Sequence, residues 1–184
     1  MMDRQEALDL VKEHVKTRNL IKHMLATEAV MKALAERLGE DQDKWALAGL
    51  LHDIDYDETA HDPNRHSLVG GEMLEKLGLP DDVVHAVKAH NEAHGLPRET
   101  RLDKALYAVD PLTGLLVAAA LIHPSKKLSA IDVGFVMNRF KESSFARGAN
   151  RDQMKSCSEL GLSLEEFIEI GLRAMQGIAE ELGL

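Results

Sequence analysis

Apolar side chains in this chain recur at steps of three and four residues, and nearly every such run stops at a glycine or a proline. That spacing places them on one side of an α-helix, and nothing in the chain reads as a strand. Leu20, Met24, Thr27, Met31, Leu34 and Leu38 make one stripe, closed by Gly39. Leu47, Leu50, Leu51 and Ile54 make the next, behind Asp41 as N-cap. Asp62 and Pro63 read as the cap and first residue of a helix running to Gly78, with His66 on the face of Val69, Met73 and Leu77. A helix opened by Asp81 lines up Val83, Val87, His90 and His94 before Gly95 and Pro97 end it.

The remainder fits the same scheme. Residues 3–17 form a short amphipathic segment, 99–122 a long apolar helix interrupted or kinked at Pro111, and 128–142 a further helix. Asn150 caps a helix to Gly161, and Ser163 with Glu166 promises a capping box for the last one. The expectation is an all-α chain with one core over residues 1–184, since 184 residues suit a single domain and an aromatic content of 4% favours aliphatic helix packing.

Composition also narrows partners. A net charge of −9 argues against nucleic acid as a bulk partner. The apolar run from Ala105 to Ile122 contains Asp110 and Pro111 and reads as a buried helix, so no membrane partner is expected. A lone cysteine, Cys157, and an N-terminus without an apolar signal core point to a reducing, cytoplasmic setting.

Chemistry enters where ionisable residues interrupt apolar faces, because a His or Asp against a core is costly unless paired or metal-bound. Such positions are His23, His52 with Asp53, His66, His90 and Asp110. Imidazole and carboxylate ligands with open positions suit a divalent transition metal, Fe or Mn first, then Zn, Co or Ni. Each residue also has a plain alternative. His52 can be a satisfied core histidine, Asp110 can cap a helix whose first residue is Pro111, and a second doublet, His61-Asp62, is explained by loop and cap.

Taken in order, HML around His23, LLHDID around His52 and Asp53, and ALYAVD around Asp110 resemble the HD-domain metal-dependent phosphohydrolases. The resemblance spans residues 23–110, with 124–184 as a C-terminal helical extension. It implies an HD-type helical bundle and a metal held by His23, His52, Asp53 and Asp110. It further implies a two-metal subset, with His66 in NRHSLVGGEML and His90 in VVHAVKAHNEAHG as added ligands and Asp53 as bridge and catalytic residue. HD-GYP phosphodiesterases and bacterial dinucleoside tetraphosphate hydrolases belong to that subset.

The implied activity is therefore hydrolysis of a phosphoester or phosphoanhydride of a small phosphorylated molecule, a nucleotide, by a metal-activated water. The rival reading is a noncatalytic nucleotide-sensing module that keeps the fold and the metal. The usual continuation HDIGK is HDIDYD here, with Asp55 for Gly and Tyr56 for Lys. Tyr56 also stands where related nucleotidases place a Glu, so the general acid passes to Asp57 or Asp55 as candidates. Residues 124–151 are locally basic, and Arg139 and Arg147 are phosphate anchors if that segment folds over the site, a solvated basic surface if it does not. His94, one turn past His90, is a substrate contact, an extra ligand, or a histidine favoured near a helix C-terminus.

Overall fold

The computed structural model describes residues 1–184 and contains eleven α-helices and three short 3₁₀ turns, with no strand. In chain order they are α1 (Arg4–His14), α2 (Arg18–Leu38), α3 (Gln42–Leu51), α4 (Tyr56–Thr59), α5 (Leu68–Lys76), α6 (Asp81–Ala89), α7 (Arg101–Ile122), α8 (Val133–Lys141), α9 (Arg151–Lys155), α10 (Leu164–Gln176) and α11 (Ala179–Leu182). One contiguous core of 44 buried apolar residues runs from Ala7 to Leu182.

Helix α3 is the hub, because every residue from Trp45 to Leu51 is buried. Its N-terminus is held by the Asp41 carboxylate, which accepts from the Lys44 amide. Gly49 lets α2 pass very close: a β-carbon there would lie 2.8 Å from the Thr27 carbonyl oxygen. The α2 stripe ends as its spacing implies, with Gly39 in the left-handed region at φ 71°. Behind this pair runs α7, capped reciprocally by Thr100 and Asp103. Length and composition alone would let α7 cross a membrane, but 61% of its apolar window is buried inside the protein.

Four local expectations need correction. Helix α7 runs unbroken through Pro111, so Asp110 is mid-helix rather than a cap. Proline has no N–H to offer the Tyr107 carbonyl four residues back, and Gln153 Nε2 donates to that oxygen instead, at 2.8 Å. The helix expected from Pro63 begins at Leu68, because Ser67 adopts φ 72° and breaks any earlier helix, while the Asp62 carboxylate accepts only from the Asn64 amide within a turn. His94 is not on α6 at all: that helix ends at Ala89, and Glu92–His94 form a separate 3₁₀ turn. The Ser163 cap forms, but the box is half made, because Glu166 turns its carboxylate to Arg37 at 2.6 Å.

Candidate metal centre

Ligand-type side chains arrive from five places. His23 lies within α2, His52 caps the C-terminus of α3 with Asp53 next to it, and His66 sits in the turn before α5. His90 caps the C-terminus of α6, and Asp110 projects from the middle of α7. His23, His52, Asp53 and Asp110 each offer an atom within 4.8 Å of the others, and Asp53, His66 and His90 form a second such set. The imidazoles His23, His52, His90 and His66 stand edge to face in succession, with centroids 5.0, 5.1 and 5.2 Å apart.

Each ring is oriented by an acceptor at Nδ1. His52 donates there to the Gly49 carbonyl at 2.7 Å, and His90 to that of Val87 at 2.5 Å. His66 donates to Asp55 Oδ1 at 2.9 Å. His23 donates to the Thr113 hydroxyl at 2.9 Å, which passes its own hydrogen to the Asp110 carbonyl. With Nδ1 committed to these acceptors, every Nε2 is aimed inward, where loss of its proton bares a lone pair.

What those lone pairs face is more acceptors. Asp53 Oδ2 lies 3.3 Å from His23 Nε2 and 3.2 Å from His52 Nε2. Its other oxygen, Oδ1, lies 3.4 Å from His66 Nε2 and 3.3 Å from His90 Nε2. Asp110 Oδ1 closes the first set at 3.0 Å from His23 and 3.3 Å from His52. His90 Nε2 is buried and has no hydrogen-bond partner. Converging carboxylate oxygens and imidazole lone pairs, with an orphaned buried nitrogen among them, fit divalent cations and little else.

The electrostatics agree. Burial alone would make His23 less basic, yet its hydrogen bonds to Asp110 and Asp53 outweigh that and push its pKa up to about 9. His52, fully buried, is likewise raised because burial is overcome by the Asp53 and Asp110 carboxylates. Burial would raise Asp53 and Asp110, but the surrounding imidazoles hold both well below the usual carboxylate range. The centre attracts positive charge, and a cation taken up there displaces ring protons, so its uptake strengthens with rising pH.

Comparison with known proteins adds the lineage. The HD domain family model matches residues 20–120, more than half of the chain. The chain belongs to the HD domain family. Among curated relatives of this HD domain, Ribonuclease Y of Lawsonia intracellularis (strain PHE/MN1-00) is 34% identical over 105 residues, covering 57% of this chain and 20% of the relative. Ribonuclease Y of Desulfotalea psychrophila (strain LSv54 / DSM 12343) is 31% identical over 139 residues, covering 73% and 26%. The HD domain chain thus spans only 20–26% of the length of these relatives. No solved structure matches. These relatives are named for a ribonuclease, and the net charge of this chain argues against nucleic acid only as a bulk partner.

The six residues anticipated as ligands are all brought together in the HD domain; the other anticipated site residues are not. Asp57 lies on the surface and accepts from the Lys16 and Thr17 amides and the Thr17 hydroxyl, which holds its carboxyl below the ordinary range and ties down the α1–α2 connection. That arrangement leaves it bound to the wrong element for protonating a leaving group. Asp57→Asn is expected to loosen this anchor at neutral pH by under about 1 kcal/mol, since the exposed carboxylate is screened by solvent. Because the folded pKa is depressed, this difference is present above the unfolded value near ~3.9 and disappears as pH falls through the folded value. Urea melts at pH 7 and pH 3 check it.

His94 donates from Nε2 to the His66 carbonyl at 2.6 Å, so it steadies a ligand's backbone rather than meeting substrate. Arg139 is tied to Glu142 at 2.7 Å and lies over the Phe135 ring, and it is not among the residues lining the cleft beside Asp110. Arg147 is different: with Asp110, Pro111, Gly114 and Gln153 it lines a cleft of about 440 Å³.

Asp55 has a role that the sequence pattern did not reveal. It is buried, and besides His66 it accepts from the amides of Ser67 at 2.7 Å and Gly70 at 2.8 Å, capping α5 from outside the helix. Gly70 is required for this approach, since a β-carbon there would lie 3.2 Å from Asp55 Oδ2 and 3.0 Å from Ile54 Cγ2. The imidazole bond and these amides outweigh burial and lower the Asp55 pKa. Asp55 is therefore an acceptor behind a ligand, unsuited to giving up a proton. Tyr56, in the place of Lys, packs its ring against His66. Asp55→Asn puts an amide donor among donors, and weakens cation binding at the His66–His90 set by about 10- to 100-fold while leaving the His23–Asp110 set intact. Titration against a competing chelator measures both.

Proposed function

We propose that this HD domain is a cation-dependent phosphohydrolase acting on a small phosphorylated substrate, a nucleotide. The observation that carries the reading is the division of the Asp53 carboxylate, one oxygen toward His23 and His52 and the other toward His66 and His90. His23, His52, Asp53 and Asp110 would hold one divalent ion, and Asp53, His66 and His90 another. Such ions supply Lewis acidity that polarises a phosphoryl oxygen and makes water an effective nucleophile at neutral pH.

The chain's own residues do the rest. Acceptors at each Nδ1 keep the rings aimed inward, Asp55 fixes His66 in particular, and burial at the ends of α3 and α6 keeps bulk water from His52 and His90. The cleft beside Asp110, at about 440 Å³, falls within the range of about 300–1,000 Å³ usual for small-ligand sites. Iron or manganese suits the mixed nitrogen and oxygen donors.

A second reading, cleavage of an RNA phosphodiester, is favoured by the relatives' name, Ribonuclease Y. One screen addresses both. Protein reconstituted with Mn or Fe(II) is offered mononucleotides, cyclic nucleotides, dinucleoside polyphosphates, a generic phosphodiester and a short single-stranded RNA. Cation-dependent turnover of the nucleotides is expected. Turnover confined to RNA selects the second reading, and binding without any turnover leaves a nucleotide-sensing module in its place.

A further inference from the structure

The connection between α8 and α9 is assembled on one guanidinium. Arg151 Nε donates to the Phe140 carbonyl at 3.1 Å, and Nη1 to those of Ala146 at 2.9 Å and Ala149 at 2.8 Å. Nη2 donates to the carbonyls of Glu142 at 3.0 Å and Phe145, with that of Arg139 further away at 3.4 Å. No carboxylate shares this cation; carbonyl oxygens surround it instead. The loop is thus ordered from its inside, by a side chain that neither the helical pattern nor the ligand order singles out.

The polarity of the peptide unit gives this a consequence. In a trans peptide the N–H points opposite to the C=O. Carbonyls of Glu142, Phe145, Ala146 and Ala149 directed at Arg151 therefore send the amides of Ser143, Ala146, Arg147 and Asn150 away from it. None of these amides donates to an acceptor within the protein. Ala146 adopts φ 46°, a left-handed conformation of the sort that turns consecutive N–H groups to one side and makes an anion-binding concavity.

The position of the loop says which anion. Ala146, Arg147, Gly148, Ala149 and Asn150 line the cleft whose other wall includes Asp110, a ligand of the candidate centre. Gln153, just past the loop, fastens α9 to the Tyr107 carbonyl on α7, one turn before Asp110. Arg147 itself is exposed and belongs to no ion pair, whereas Arg4, Arg37, Arg65, Arg101, Arg139 and Arg173 are each matched to a glutamate.

We propose that the loop of residues 142–150 is a cradle for a second phosphate group of the substrate, distinct from the one hydrolysed, with Arg147 and the amides of Ala146 and Arg147 as donors. Arg151 is the positioning residue that holds the cradle open. The proposal rests on the phosphohydrolase reading and narrows it to substrates bearing at least two phosphates, whether in a polyphosphate chain or on successive nucleotides.

The probes are inorganic phosphate, which needs only the cation centre, and methylenebisphosphonate, which spans centre and cradle and is not hydrolysed. Calorimetry on the Mn-loaded full chain is expected to show Arg147→Gln weakening bisphosphonate binding by about 10- to 100-fold, with phosphate binding changed less than about twofold. Arg151→Lys keeps the charge but cannot reach all the carbonyls, and loses the same preference at unchanged cation stoichiometry. If Arg151→Lys misfolds by circular dichroism, the exposed Arg147→Gln variant still decides. Bisphosphonate affinity equal to wild type in Arg147→Gln overturns the cradle. Because binding is read without turnover, a chain that prefers bisphosphonate yet hydrolyses nothing refutes the phosphohydrolase reading alone.

Discussion

Asp53→Ala is expected to yield a folded protein that retains neither cation through gel filtration and whose cation-dependent hydrolysis falls by about 10³-fold, the scale of losing a group that organises transition-state charge. The reason is geometric. Removing His66 or His90 subtracts one donor from one set, but Asp53 alone belongs to both, with Oδ2 in the first and Oδ1 in the second. Without it, His23 and His52 keep only Asp110, and His66 and His90 keep no carboxylate between them. The fold survives because the ring anchors at Gly49, Val87, Thr113 and Asp55 do not involve Asp53. Metal content by mass spectrometry, measured beside turnover, tests the two halves separately. Undiminished turnover in this variant contradicts the assignment.

Gly49→Ala attacks the same centre from the scaffold. A β-carbon at position 49 would sit 2.8 Å from the Thr27 carbonyl oxygen and 3.0 Å from Glu28 Cα, and these are backbone atoms that cannot rotate aside. Helices α2 and α3 must separate, at a cost of about 3 kcal/mol, which for a chain of this size lowers Tm by roughly 6–12 °C. His23 rides on α2 and His52 on the end of α3, so their 3.1 Å approach widens and the first cation binds more weakly. Calorimetric melts with and without Mn separate the packing loss from the lost cation stabilisation. A melting temperature within a degree or two of wild type would mean that the two helices are not held at this distance.

The candidate ligands His23, His52, Asp53, His90 and Asp110 were legible because each interrupts an apolar stripe, whereas His66, in the turn before α5, was legible only from its order along the chain. Helix existence was legible for the same reason: burial enforces the spacing. What escaped was decided by contacts between distant residues. Asp62-Pro63 carries a sound local start signal, but the Asp55 carboxylate captures the amides of Ser67 and Gly70 and moves the start of α5 to Leu68. Glu166 has the spacing to complete a capping box and is taken instead by Arg37, 129 residues away.

Asp57 and Asp55 were indistinguishable as acid candidates from sequence, since both follow the doublet closely. Only the fold reveals that one ties down a loop and the other stands behind His66. An aspartate two residues past the doublet, with the small pair Gly70-Gly71 further on, was the available signal for Asp55, and it has no fixed meaning without the packing. Arg151 had no signal at all, because its partners are backbone carbonyls and any sequence supplies those.

Pro111 gives the later helices a different standing from that of an appendage. The shared family pattern ends at residue 120, yet the carbonyl that this proline leaves open is filled by Gln153. Ligand helix and C-terminal segment are therefore fastened together at this carbonyl: replacing the chain beyond residue 120 would take away the glutamine that makes the proline tolerable, at a contact one turn before Asp110.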